Sequence, residues 1–159
     1  MIRRAVREDS RDISNLIKRT LRQSNSPDYD KDEIARLCMI HSYKDIAEMI
    51  QAKEFYVAET KERQIAGCIA LVFTGQKAGT ALVTTVFVHP GYQGKGIGSA
   101  LMSYAEDVAR NADIRTLMLD SSITAHGFYL KLGFKDINSS ADETEIDDLF
   151  VMIKSIKQS

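Results

Sequence analysis

The spacing of apolar residues changes several times along the chain, and each change marks an element. Residues 2–7 read as a short strand. Asp9 or Ser10 can then cap a helix whose apolar residues Ile13, Leu16, Ile17 and Leu21 follow a helical period. A polar loop over residues 23–30 carries Pro27 and Tyr29. The next helical region falls into two parts. Ile34, Leu37 and Cys38 share one face, and Ile46, Met49 and Ile50 share another after a break at residues 41–43. Three strands follow at residues 55–60, 65–74 and 81–88, and their short polar turns make them an antiparallel meander. Pro90 stops the third. A long helix runs to about Asn111 with Ile97, Leu101, Tyr104, Ala105 and Val108 as its apolar stripe. A strand at 115–120, a short helix at 124–132 closed by Gly133, and a strand pair at 134–138 and 147–153 complete the chain. Helices interleaved with a mostly antiparallel sheet predict an α/β (α+β) protein. No repeat or linker divides it, so residues 1–159 are expected to form a single domain.

Composition narrows the functional classes. Lys and Arg total 21 against 22 Asp and Glu, for a formal charge of -1. That excludes a strongly basic nucleic-acid binder on composition. The longest apolar stretch, Ile65 to Phe73, is too short to span a membrane. The first ten residues carry Arg3, Arg4 and Arg7 and no apolar signal-like core, so a cytoplasmic setting with no membrane partner is expected. Cys38 and Cys68 sit among apolar residues and read as buried, reduced thiols, with no metal site.

The chemistry concentrates where four of the nine glycines fall within eight residues. Gln93-Gly94-Lys95-Gly96-Ile97-Gly98 lies between a strand and a helix. Glycine allows a tight turn and close approach of a ligand to the backbone. The first N–H groups of the helix have no internal partners, and the helix dipole adds positive potential there. Such a loop suits phosphate or diphosphate, and Lys95 adds a full charge. The spacing is neither a Rossmann fingerprint, since Ser99 stands where its last glycine belongs, nor a P-loop.

With this loop the sequence resembles the GNAT superfamily of N-acetyltransferases, whose acetyl-CoA loop reads Gln/Arg-x-x-Gly-x-Gly/Ala. The approach Val86-Phe87-Val88-His89-Pro90 and the exit Ser99-Ala100-Leu101 also fit. So does Ser122-Ile123-Thr124-Ala125-His126-Gly127-Phe128-Tyr129, followed by Gly133-Phe134, which is similar to the family's Ala-x-x-Phe-Tyr-x-x-x-Gly-Phe segment in a bacterial Ser-x-Thr-Ala form. The resemblance spans nearly the whole chain. It implies a mixed, mostly antiparallel seven-stranded sheet with about four helices, splayed between its fourth and fifth strands. It also implies transfer of an acetyl group from acetyl-CoA to a primary amine of a small molecule or protein.

By resemblance, Val86, Phe87 and Val88 offer a strand edge to the pantetheine arm, and a backbone N–H there stabilises the oxyanion. Gln93, Gly94, Lys95, Gly96, Ile97, Gly98 and Ser99 hold the diphosphate. Tyr129 is the general acid that protonates the departing thiolate. Ser122 stands where many relatives carry a cofactor-contacting Asn, and its hydroxyl can hydrogen-bond. Many relatives take their general base from a Glu on the fourth strand. Here that strand reads Val83-Thr84-Thr85-Val86, so Asp120 is the nearest alternative, with His41 and His126 candidates by type alone and His89 structural. The missing carboxylate keeps a second reading open, a non-catalytic acyl-CoA-binding sensor or scaffold. Tyr29 lies in the segment that covers the acceptor site in relatives, and the acidic run Asp142, Glu143, Glu145, Asp147 and Asp148 can attract a cationic amine or form a solvated turn. Relatives are often dimers, so a homodimer is one arrangement the resemblance allows.

Overall fold

A computed structural model describes residues 1–24, 27, 29–74, 79–137 and 149–156. Seven strands form one sheet: β1 (Ile2–Arg4), β2 (Glu54–Glu59), β3 (Ile65–Phe73), β4 (Thr80–Val88), β5 (Thr116–Ser122), β6 (Lys135–Asp136) and β7 (Leu149–Ser155). Their order is β1-β2-β3-β4-β5-β7-β6. Among the described residues there are five α-helices, α1 (Ser10–Gln23), α2 (Lys31–Met39), α3 (Tyr43–Ala52), α4 (Ile97–Asn111) and α5 (Ile123–Lys131). The expected count of about four helices becomes five because the second helical region breaks at residues 40–42. There Ser42 and Asp45 form a capping box that starts α3 afresh. Asp9 does precede α1, but its carboxylate makes no cap. It accepts two hydrogen bonds from the Arg3 guanidinium, at 2.8 and 2.9 Å, and one from the Val6 N–H.

The sheet is apolar on both faces. Phe55, Val57, Cys68 and Ala70 pack against Ile13, Leu16, Ile17 and Ile46 of α1 and α3. Their alternate neighbours Tyr56, Ala58, Ile69 and Leu71 face Leu101, Met102 and Ala105 of α4. Helical cover on both sides explains why β3 reads as a continuous apolar run instead of an alternating one.

Two features open the centre of the sheet. The parallel ladder of β4 and β5 joins Thr80, Ala81 and Leu82 to Thr116, Leu117 and Met118 and goes no further. Against β3, the register moves from Cys68↔Phe87 to Ala70↔Thr84, so Thr85 and Val86 both oppose Ile69. That is a β-bulge, and Thr85 has φ of 55° within it. A bulge bends and twists its strand, which carries the C-terminal half of β4 away from β5.

Candidate active site

The divergence of β4 and β5 leads into a cavity of about 740 Å³. Val86, Phe87 and Val88 form one wall, where β4 has lost its ladder partner on the β5 side. Peptide groups on such an edge are free to pair with an amide-bearing ligand laid along them.

The glycine loop closes one end. The His89 Nδ1 accepts the Gly91 N–H at 2.9 Å and caps a single helical turn over Pro90–Tyr92. Gln93 then donates through Nε2 to the Val88 carbonyl at 3.1 Å and to the Ser24 hydroxyl at 3.0 Å, pinning the loop to the end of α1. Gly94 and Gly96 have φ of 78° and 81°, left-handed values that favour glycine. A Cβ on either would meet nothing within 4 Å, so open space lies over this backbone. Gly96 is the N-cap of α4 and contributes no side-chain acceptor to its first amides. Ile97, Gly98 and Ser99 of that first turn also line the cavity. Free amides, a helix N-terminus and vacant space fit a diphosphate.

Tyr129 of α5 also lines the cavity. It is 7% exposed, with its ring edge-on to Phe128 and Phe134. Among the described residues its hydroxyl has no hydrogen-bond partner, although buried phenols usually find one. Burial pushes its pKa up to about 12, so the phenol holds its proton at neutral pH. Ser122 caps α5 by accepting the Ala125 N–H at 3.2 Å and also lines the cavity.

Three other sequence candidates fall outside the lining. Lys95 leans over the Tyr92 ring, its ammonium 5.3 Å from the centroid. Asp120 is exposed on β5 because the alternation of that strand turns its neighbours Leu119 and Ser121 inward. Tyr29 is half-buried and not part of the cavity wall. The acidic run Asp142, Glu143, Glu145, Asp147 and Asp148 lies outside the described residues. His41 donates through Nδ1 to the Leu37 carbonyl and sets its edge against Phe87, whereas His126 pairs with Asp136 and stacks on Phe150.

Sequence reasoning missed the contribution of α1. Thr20, Gln23 and Ser24 line the cavity rim. Thr20 carried a signal, as a polar residue set in the buried face of α1 beside Ile17 and Leu21. Phe128 was seen only as part of a motif. It fills the wall between α4 and α5, where a Cβ on Gly98 would come within 3.0 Å of its ring.

A sheet parted at a bulge, with a glycine-rich helix start and a buried phenol in the lining, makes a cavity suited to an extended, phosphate-bearing ligand. Residues 25–154 match the family model described as an acetyltransferase (GNAT) domain, and the chain belongs to that family. It is an acetyltransferase that takes its acetyl group from acetyl-CoA. Solved structures share the fold. A PaiA N-acetyltransferase from Thermoplasma acidophilum, in complex with coenzyme A, is 20% identical over 98% of each chain, with a TM-score of 0.85. A GNAT-family acetyltransferase from Staphylococcus aureus is 19% identical over 99% of each chain, with a TM-score of 0.76. An N-acetylglutamate synthase from Neisseria gonorrhoeae, complexed with coenzyme A and N-acetyl-glutamate, is 20% identical and covers 99% of this chain but 35% of its own length, with a TM-score of 0.72. Among the described residues no helix is long and apolar enough to cross a membrane.

Proposed function

We propose that residues 1–159 act as one domain that acetylates a primary amine of a small molecule or protein by direct attack on acetyl-CoA bound in the central cavity. The buried hydroxyl of Tyr129, without a hydrogen-bond partner among the described residues, carries this reading. Val86 to Val88 receive the pantetheine amides, and Gly94 to Ser99 receive the diphosphate. The amine nitrogen attacks the thioester carbonyl, and a backbone N–H of the β4 edge stabilises the oxyanion. The nitrogen sheds a proton to solvent, and the tetrahedral centre collapses with cleavage of its C–S bond. Tyr129 gives its proton to the departing sulfur. Burial makes the phenolate left behind unfavourable, so it regains a proton from water, and the net result moves the amine's proton to the thiol. Among the described residues neither β4 nor the cavity lining carries a carboxylate to serve as a strong base, which favours an acceptor that reaches the site already neutral. The reading needs no metal, nucleic acid or membrane and keeps a cytoplasmic setting.

The test incubates the protein with acetyl-CoA and a panel of primary amines and lysine-containing peptides, followed by mass spectrometry. An N-acetylated product that requires the protein supports the proposal. Tight acetyl-CoA binding with no acetylated product from any acceptor overturns it in favour of a non-catalytic acyl-CoA binder.

A further inference from the structure

His89 and Arg19 meet beside the cavity in a hydrogen-bonding arrangement that is incomplete. The His89 Nδ1 accepts the Gly91 N–H, so it carries no proton. A neutral imidazole then has its hydrogen on Nε2. Arg19 brings its Nη1 to 3.3 Å from that same Nε2. A guanidinium only donates, so two N–H donors face each other with no acceptor between them. Protonating His89 does not resolve the conflict, since the Gly91 amide needs the bare Nδ1 and Arg19 repels a second positive charge. Burial and the Arg19 charge both hold the His89 pKa below its ordinary value. Among the described residues Arg19 makes no ion pair, although its guanidinium sits on an exposed face of α1. Two convergent donors, one charged, call for an anionic oxygen.

Their position selects the anion. His89 directly follows Val88, and Arg19 is one residue from Thr20 and one helical turn from Gln23, all three in the cavity lining. Neither residue is itself in the lining, so the pair flanks the rim formed by α1 and the glycine loop. The amides of Gly94 to Ser99 already suit the diphosphate, which leaves the pair for another anion. Acetyl-CoA carries one further phosphate, a monoester on the 3′-oxygen of its ribose. We infer that Arg19 and His89 form a recognition site for that 3′-phosphate, so the protein discriminates acetyl-CoA from its 3′-dephospho form. This inference rests on the assignment of the cavity to acetyl-CoA.

The experiment measures binding of acetyl-CoA and acetyl-3′-dephospho-CoA by titration calorimetry, for wild type and Arg19→Gln. Arg19 is exposed, so the substitution leaves the fold in place. The expected wild-type preference for acetyl-CoA is about tenfold, the order for a charge-assisted pair partly open to water. Arg19→Gln should abolish most of that preference and leave the affinity for the dephospho form unchanged. A wild type without preference, or a variant that keeps it, overturns the inference. So does a variant that weakens both nucleotides equally, since Arg19 would then serve the diphosphate. Failure of wild type to bind either nucleotide overturns the assignment of the cavity itself.

Discussion

Replacing Tyr129 with Phe removes a single oxygen from the cavity. The ring stays in its contacts with Phe128 and Phe134, so the wall keeps its shape. A buried hydroxyl without a partner destabilises the fold by about 1–3 kcal/mol when water cannot reach it. The cavity gives this one access to water, so the variant should match wild type in stability or exceed it by up to about 1 kcal/mol. In a chain of this size that is a rise of about 2–4 °C in Tm. Catalysis should move the other way. Loss of an acid lowers kcat by about 100-fold, or about 2.7 kcal/mol in the barrier. Since the phenol titrates only near pH 12, it imposes no alkaline limb in the usual assay range. Wild-type kcat/KM should instead rise with pH towards the acceptor's own pKa, about 10 for a lysine-like amine. The assay follows free thiol released from acetyl-CoA at saturating amine, beside a thermal melt and a calorimetric Kd for acetyl-CoA. Equal turnover in the two proteins would remove Tyr129 as the acid. A Tm lowered by several degrees would show that the hydroxyl supports the fold.

Gly98→Ala should push Phe128 out of the cavity wall, because its Cβ would lie 3.0 Å from the ring. The expected result is an acetyl-CoA KM raised several-fold at a stability cost of about 1 kcal/mol, and an unchanged KM would contradict the packing described. Arg3→Ala should destabilise the protein by about 1–2 kcal/mol, discounted for the partly exposed Arg3, because it leaves the Asp9 carboxylate buried without its partner. Burial alone would raise the Asp9 pKa, but the Arg3 and Val6 hydrogen bonds outweigh it and hold it below the ordinary value. The stabilisation from Asp9 is thus complete above the ordinary carboxylate pKa and is lost as pH falls through the lowered one. Denaturant melts of Arg3→Ala should show less of this acid dependence than wild type, and identical pH profiles would refute it.

The parts of the site carried by contiguous residues were legible from sequence. The glycine loop and the Phe128-Tyr129 segment each sit on one stretch of chain, and local rules for helix starts and turns apply to them directly. The bulge was not legible in this chain's own residues. Val83-Thr84-Thr85-Val86 reads as regular strand, with no Gly or Pro to mark the left-handed Thr85. Its register depends on pairing with Ile69, which is remote in sequence. The splay itself was expected only by resemblance. Asp120 shows the same limit. It precedes the Ser122 cap by two residues, yet strand alternation points it outward, and Met118, apolar on the same face as Asp120, blurs that alternation in the sequence. Thr20, Gln23 and Ser24 reach the rim only because α1 packs across the sheet at β4.

The account stands most directly on where acetyl-CoA binds. Amide hydrogen exchange measured with and without acetyl-CoA reads this residue by residue. Slowed exchange in Val86 to Val88, which lack a ladder partner on the β5 side, and in Gly94 to Ser99, at the start of α4, is the expected result. Protection confined to the groove between α1 and α3 around Arg11 and Tyr43, or no protection at saturating nucleotide, would contradict it.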